Sequence, residues 1–196
     1  MEEHEVIANG GHVVRAVELG AGEPLVLCHG GSGWWGGFDA LAGLLAVRVR
    51  VIRWEQRESG SLADLEALRA HLGLSRFALL GHAGGAEVAL RYALANPELV
   101  SSLVAVSATG PREAPAGCRG LAVPTLLVDG TAAGAVGGAV DGAPGRGAAG
   151  PGSAPADVLA DALPDVARVV LPGAGHVPWE ASPGSFGWAV LAHLAR

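Results

Sequence analysis

The chain has 196 residues and a mass of 19.6 kDa; half of it is hydrophobic and its formal net charge is −6. Its 13 basic residues are all arginine and are scattered without a block, which argues against nucleic acid or an anionic membrane as partner. The absence of lysine excludes Schiff-base chemistry of the pyridoxal-phosphate kind and a P-loop.

This length suits one domain, residues 1–196, that can bury a full core without disulfides or metal. No apolar run approaches the roughly 20 residues that span a bilayer. The acidic start Met1-Glu2-Glu3-His4-Glu5 lacks the layout of a signal peptide, so a cytoplasmic location is expected. Cys28 and Cys118 are too few for a disulfide framework or a cysteine zinc site, and neither a metal nor a cofactor is expected.

Val13 to Glu18 is short, β-branched and roughly alternating, and Gly20-Ala21-Gly22 follows, which predicts an early edge strand and a turn. Pro24 to Cys28 is continuously apolar, as a strand covered on both faces should be, and it runs into His29-Gly30-Gly31-Ser32-Gly33. A glycine-rich loop there lies at the carboxyl end of the sheet, where open α/β sheets bind ligands. Phe38 to Ala46 predicts a helix and Val49 to Trp54 the next strand.

Ser61 with Asp64 has the form of a shortened capping box, and Leu62, Leu65, Leu68 and Leu72 supply an apolar stripe behind it. Phe77 to Leu80 then enters Gly81-His82-Ala83-Gly84-Gly85, and a helix over Gly84 to Ala95 stops at Asn96-Pro97. Leu103 to Val106, Pro124 to Asp129 and Val166 to Leu171 predict strands, and Ser182 to Ala195 a closing helix. Gly130 to Pro155 is almost wholly Gly, Ala and Pro and is expected to be a flexible insertion. Alternation of strand and helix implies an α/β fold: a doubly wound, mostly parallel sheet with helices on both faces.

Four segments together resemble the α/β-hydrolase superfamily over nearly the whole chain. His29-Gly30-Gly31-Ser32-Gly33 resembles the H-G-G-P-G oxyanion loop of proline-iminopeptidase-like and epoxide-hydrolase-like members, with serine for proline. Glu55-Gln56-Arg57-Glu58-Ser59-Gly60 is similar to their D-Q-R-G-x-G loop. Gly81-His82-Ala83-Gly84-Gly85 matches the G-H-S-x-G elbow except at the nucleophile, where Ala83 stands. Leu171 to Glu180 matches the segment that carries the catalytic histidine, here His176. The resemblance places the triad acid in a G-x-x-D pattern after the strand ending at Asp129, but this chain has Gly130-Thr131-Ala132-Ala133. It also implies no room for a helical cap between Ser107 and Val123.

Loss of a serine nucleophile costs about six orders of magnitude in a triad enzyme, so acyl-serine hydrolysis is not expected. An oxyanion hole needs only backbone N–H groups; Gly84, with Gly31 or its neighbour Gly30, is expected to supply them. His176 can still carry a proton. The resulting expectation is an enzyme acting on a small apolar carbonyl compound by His acid/base and oxyanion-hole catalysis: proton transfer, elimination, cyclisation or C–C cleavage. The alternatives are a serine hydrolase of esterase or peptidase type inactivated at Ala83, and a non-catalytic ligand-binding or partner protein.

Candidate replacements for the acid are Asp129 first, then Glu55, Glu58, Glu113 and Asp141; candidate nucleophiles off the elbow are Ser32, Ser59, Ser107 and Cys28. His29 and His82 are expected to brace their loops. Trp34 and Trp35 either line a pocket with them or pack on the first helix.

Overall fold

The structure, a computed structural model, describes residues 1–8, 10–30, 38–57, 61–109, 113–131 and 154–196. Eight strands form one sheet in the order β1-β2-β4-β3-β5-β6-β7-β8. They are β1 (Glu2–Ile7), β2 (Val13–Leu19), β3 (Pro24–Cys28), β4 (Arg50–Trp54), β5 (Phe77–His82), β6 (Val100–Val106), β7 (Thr125–Gly130) and β8 (Val166–Leu171). From β4 to β8 every pairing is parallel, while β2 runs antiparallel to both β1 and β4.

Val13–Leu19 is therefore not the edge. With β8 at the opposite edge, the edge on this side is β1, whose run of charged residues hides a strand in which only Val6 is fully buried. Its acidic side chains point to solvent and suit an exposed border.

The helices are α1 (Phe38–Leu45), α2 (Ser61–His71), α3 (Gly84–Ala95), α4 (Ala154–Ala162), α5 (Pro178–Ala181) and α6 (Pro183–Leu194). One core layer joins β3–β6 to α2 and α3 through Val26, Ile52, Leu79, Leu65, Leu68 and Tyr92. The opposite layer joins the sheet to α1, α5 and α6 through Leu27, Leu80, Val104, Leu41, Trp179 and Phe186. Odd and even strand residues thus serve opposite layers, as side-chain alternation requires.

Three local expectations are corrected. The Ser61 hydroxyl donates to the Arg57 carbonyl rather than capping its own helix, and the fully buried Asp64 accepts from Nη2 and Nε of Arg57 at 2.6 and 2.7 Å. Leu62 is exposed, leaving Leu65 and Leu68 to bury α2. Helix α4 also begins inside the segment read as flexible through Pro155; most of that segment, with Asp141 and Ala133, lies outside the described residues. Between β6 and β7 the described residues carry one 3-10 turn, Cys118–Gly120. No helix among the described residues is long and apolar enough to cross a membrane.

Candidate active site at the carboxyl ends of the strands

β5 leaves the sheet through Ala83, whose backbone has φ 51° and ψ −119°. A non-glycine residue rarely adopts such a conformation, which costs energy wherever it occurs. It is held from both sides: the Ala83 N–H donates to the Val106 carbonyl at 3.0 Å, and α3 starts at the next residue. The flanking glycines answer to packing. A Cβ on Gly81 would lie 2.4 Å from the Ala86 Cα, and one on Gly85 would lie 2.0 Å from the Cys28 carbonyl oxygen. The turn is so tight that strand, helix and the end of β3 touch through backbone alone.

Gly30 closes the front of the turn. Its open Cβ position is 3.0 Å from the Ala83 methyl and 3.6 Å from the Gly84 nitrogen. Gly84 is exposed and, as the first residue of α3, has no intrahelical acceptor for its N–H. Gly31, together with Ser32, Trp34 and Trp35, lies outside the described residues, as do Glu58 and Ser59.

His29 is 6% exposed and ties this loop down. Its Nε2 accepts the Gln56 N–H at 3.2 Å, so in the neutral ring the proton resides on Nδ1, which donates to the Gly30 carbonyl at 2.6 Å. The Gln56 side-chain amide returns a bond to the His29 carbonyl at 3.0 Å. Gln56 is thus a brace that sequence reasoning missed, although it stands in a loop already singled out.

His176 is exposed on the loop after β8. That loop is fastened to the end of β7: the Gly175 N–H donates to the Thr131 carbonyl at 2.9 Å, and the Gly173 N–H to the Thr131 hydroxyl at 3.2 Å. A Cβ on Gly130 would lie 2.0 Å from the Gly175 oxygen, so this approach requires glycine. His82 reaches across 94 positions of sequence, its Nε2 2.9 Å from the His176 carbonyl oxygen, and the two ring centroids are 4.7 Å apart. Trp179 packs edge-on against His82 at 4.7 Å and stacks on Phe38 at 5.7 Å. Burial pushes the His82 imidazole below its ordinary range; the bond to the His176 carbonyl opposes this shift and the neighbouring His176 ring adds to it. The His82 imidazole is therefore held toward its neutral form.

The other candidates separate clearly. Asp129 is buried at the end of β7 and pairs with Arg168 of β8 at 3.2 Å, while Arg168 also holds Asp157 of α4. Register places Asp129 on the same sheet face as Leu127 and Arg168, the face that α4 covers. Glu55 pairs with Arg15 at 3.0 Å. Glu113 lines an open depression of about 460 Å³ shared with Arg119 and Asp161. Cys28 is wholly buried and its thiol is pushed up to about 12, which removes it as a nucleophile. Ser107 stands beside the elbow with φ 45°, its N–H bonded to the Val128 carbonyl at 2.8 Å. Among the described residues Glu2, His4 and Glu18 bring possible metal ligands within 4.8 Å of one another, but Glu18 already accepts from Nε and Nη2 of Arg50.

Comparison with known proteins gives a consistent picture. The α/β hydrolase fold model matches residues 23–127. RutD of Klebsiella pneumoniae, named as a candidate carbamate hydrolase, is 34% identical over 102 residues, covering 44% of this chain and 38% of RutD. A soluble epoxide hydrolase of Corynebacterium sp. is 30% identical over 113 residues, covering 51% of this chain and 39% of that protein. The matches thus span well under half of these relatives' lengths. Among solved structures, a serine-to-alanine mutant of a meta-cleavage product hydrolase from Pseudomonas fluorescens, complexed with acetates, has a TM-score of 0.77 at 14% identity, covering 98% of this chain and 97% of that one. A thermophilic esterase from Thermogutta terrifontis has a TM-score of 0.77 at 17% identity, covering 100% and 98%. With the family model matching more than half of its residues, and the order and direction of its strands in accord, the chain belongs to the α/β hydrolase fold family.

Proposed function

We propose that this protein catalyses proton transfer at a small, largely apolar carbonyl compound without an acyl-serine intermediate. His176 is the acid/base and the Gly84 N–H an oxyanion donor; Gly31 is assigned the second donor by its motif. The observation that carries the reading is the retained elbow. Ala83 has a costly backbone conformation beside an N–H with no intrahelical acceptor, although its methyl offers no reactive group to present. In the reaction the His176 imidazole takes a proton either from water, whose oxygen adds to the carbonyl carbon as the C=O π pair moves onto oxygen, or from a carbon next to the carbonyl, whose C–H pair delocalises onto that oxygen as an enolate. Charge developing on the carbonyl oxygen is met by the backbone donor, and the same proton returns to the departing or rearranging group. The name of RutD, which points to a carbamate, supports a small carbonyl substrate.

The test is turnover of a panel of small carbamates, enol esters and β-dicarbonyl compounds by the protein and by His176→Ala. Loss of at least 100-fold in kcat/KM with the variant is the expected result; undiminished turnover would overturn the assignment of His176. A second reading, a serine hydrolase disabled at Ala83, is favoured by that same backbone conformation, which would present a serine hydroxyl. Ala83→Ser distinguishes the two: labelling by a fluorophosphonate and turnover of a nitrophenyl ester would support the disabled hydrolase.

A further inference from the structure

We infer that His82 is the positioning residue of His176, fixing the backbone from which the base projects through a bond to its peptide carbonyl. The inference rests on His176 being the base proposed above. Three observations meet at His82. Its Nε2 lies 2.9 Å from the His176 carbonyl oxygen, which directly ties the end of the elbow strand to the histidine loop. Its ring is held edge-on by Trp179 at 4.7 Å and approached by Phe38 at 6.3 Å, so the donor has one direction. The carboxylate nearest the end of β7, Asp129, is drawn to Arg168 on the α4 face, and the sequence continues Gly130-Thr131-Ala132-Ala133 with no acid.

A carbonyl oxygen only accepts, so Nε2 of His82 must carry the proton, in the neutral ring as in the charged one. The tie therefore persists whichever imidazole is protonated. It also places the two strand-end loops under one constraint: a shift of the elbow moves the base with it. Misplacement of such a group by about 1 Å can cost about 100-fold in rate.

Two variants separate the bond from the packing. His82→Phe keeps an aromatic ring without a donor, and His82→Gln keeps an N–H donor of similar reach without the ring. The expected result is that His82→Phe speeds amide exchange at Gly175 and Val177 at least tenfold and moves the His176 carbonyl carbon signal upfield, whereas His82→Gln restores both to near their original values. Equal loosening by the two variants, or no change in His82→Phe, would overturn the inference. Nitrogen NMR of the unmodified protein adds a check independent of folding: Nε2 of His82 should resonate as a protonated ring nitrogen, and an unprotonated Nε2 would sink the idea. These readouts do not depend on turnover. If His176→Ala retains activity the base assignment fails while the tether still stands; if the tether fails, the base assignment is judged by kinetics alone.

Discussion

Replacing Ala83 by glycine should make the protein more stable, against the usual direction of Ala→Gly substitution. Ala83 sits at φ 51° and ψ −119°, and a residue forced into so sparsely populated a region costs about 1–3 kcal/mol. Glycine adopts that conformation freely, so this cost is released. Against it stands the extra freedom of glycine in the unfolded chain, about 0.4–1 kcal/mol. The net gain is about 0.5–2 kcal/mol, which for a domain of this size raises Tm by roughly 1–8 °C. Scanning calorimetry and urea unfolding at neutral pH measure it directly. Ala83→Val provides the opposite arm, since a β-branched residue tolerates positive φ less well than alanine and should lower Tm. If Ala83→Gly instead lowered Tm while Ala83→Val left it unchanged, the turn would carry no strain, and the argument from its retention to a functional site would collapse.

Gly130→Ala should destabilise the fold by about 1–3 kcal/mol or more, because its Cβ would sit 2.0 Å from the Gly175 oxygen and push the histidine loop off β7; faster amide exchange at Gly175 is the specific sign. Trp179→Ala should cost about 3–5 kcal/mol in urea unfolding, since this 4%-exposed indole supports Phe38, His82 and Phe186 together. Acid should unfold the protein partly through His82 and His193, whose imidazoles burial lowers below their ordinary range; the charge of Arg196 adds to the effect on His193. The unfolded state then binds the proton more readily, so this stability is complete above about pH 6.5 and declines as pH falls toward the folded values, by at most about 1.4 kcal/mol per pH unit per histidine. His82→Gln should flatten that decline, as followed by Tm between about pH 7 and 5.

Much of this architecture is legible in the residues because strands buried on both faces must be apolar throughout. Pro24–Cys28 has the bounds its continuous apolar run suggests, and the elbow helix begins and ends at Gly84 and Ala95 as its glycines and Asn96-Pro97 require; Val166–Leu171 also has the expected bounds, although as the far edge strand it carries Arg168 and fully buries only Leu171. Strand β1 escaped because an edge strand needs only one buried face; with Val6 its sole fully buried residue, Glu2-Glu3-His4-Glu5 presents no periodic apolar signal. Helix α4 escaped because Ala154 and Pro155 continue the composition of the preceding segment, and proline in the first turn of a helix is compatible with it. Within the site the glycines were readable from their motif, but their reasons were not. That Gly85 faces the Cys28 carbonyl and Gly130 faces Gly175 depends on contacts between segments far apart in sequence. The same holds for the tie from His82 to the His176 carbonyl and for the capture of Asp129 by Arg168.

These contacts also bear on how a site can change chemistry without losing shape. The close approaches at Gly81, Gly85 and Gly130 are made to backbone atoms, and none involves the side chain at position 83. A serine there would add one hydroxyl to a turn already built, because Ser and Ala differ little in what they ask of the backbone. The geometry is therefore insensitive to the nucleophile. What it constrains is the relation among the Gly84 N–H, the Gly30 backbone and the loop that bears His176. Steric need explains why the glycines persist, yet it does not explain the strain at Ala83, since glycine would close the same turn at lower cost. The residue at position 83 is small and non-nucleophilic but is not the most stable choice, and its methyl lies 3.0 Å from the open Cβ position of Gly30 at the mouth of the turn. With the Gly84 N–H in the oxyanion role proposed above, a substrate carbonyl would rest against that methyl, so removing it with Ala83→Gly should loosen substrate and raise KM more than it lowers kcat.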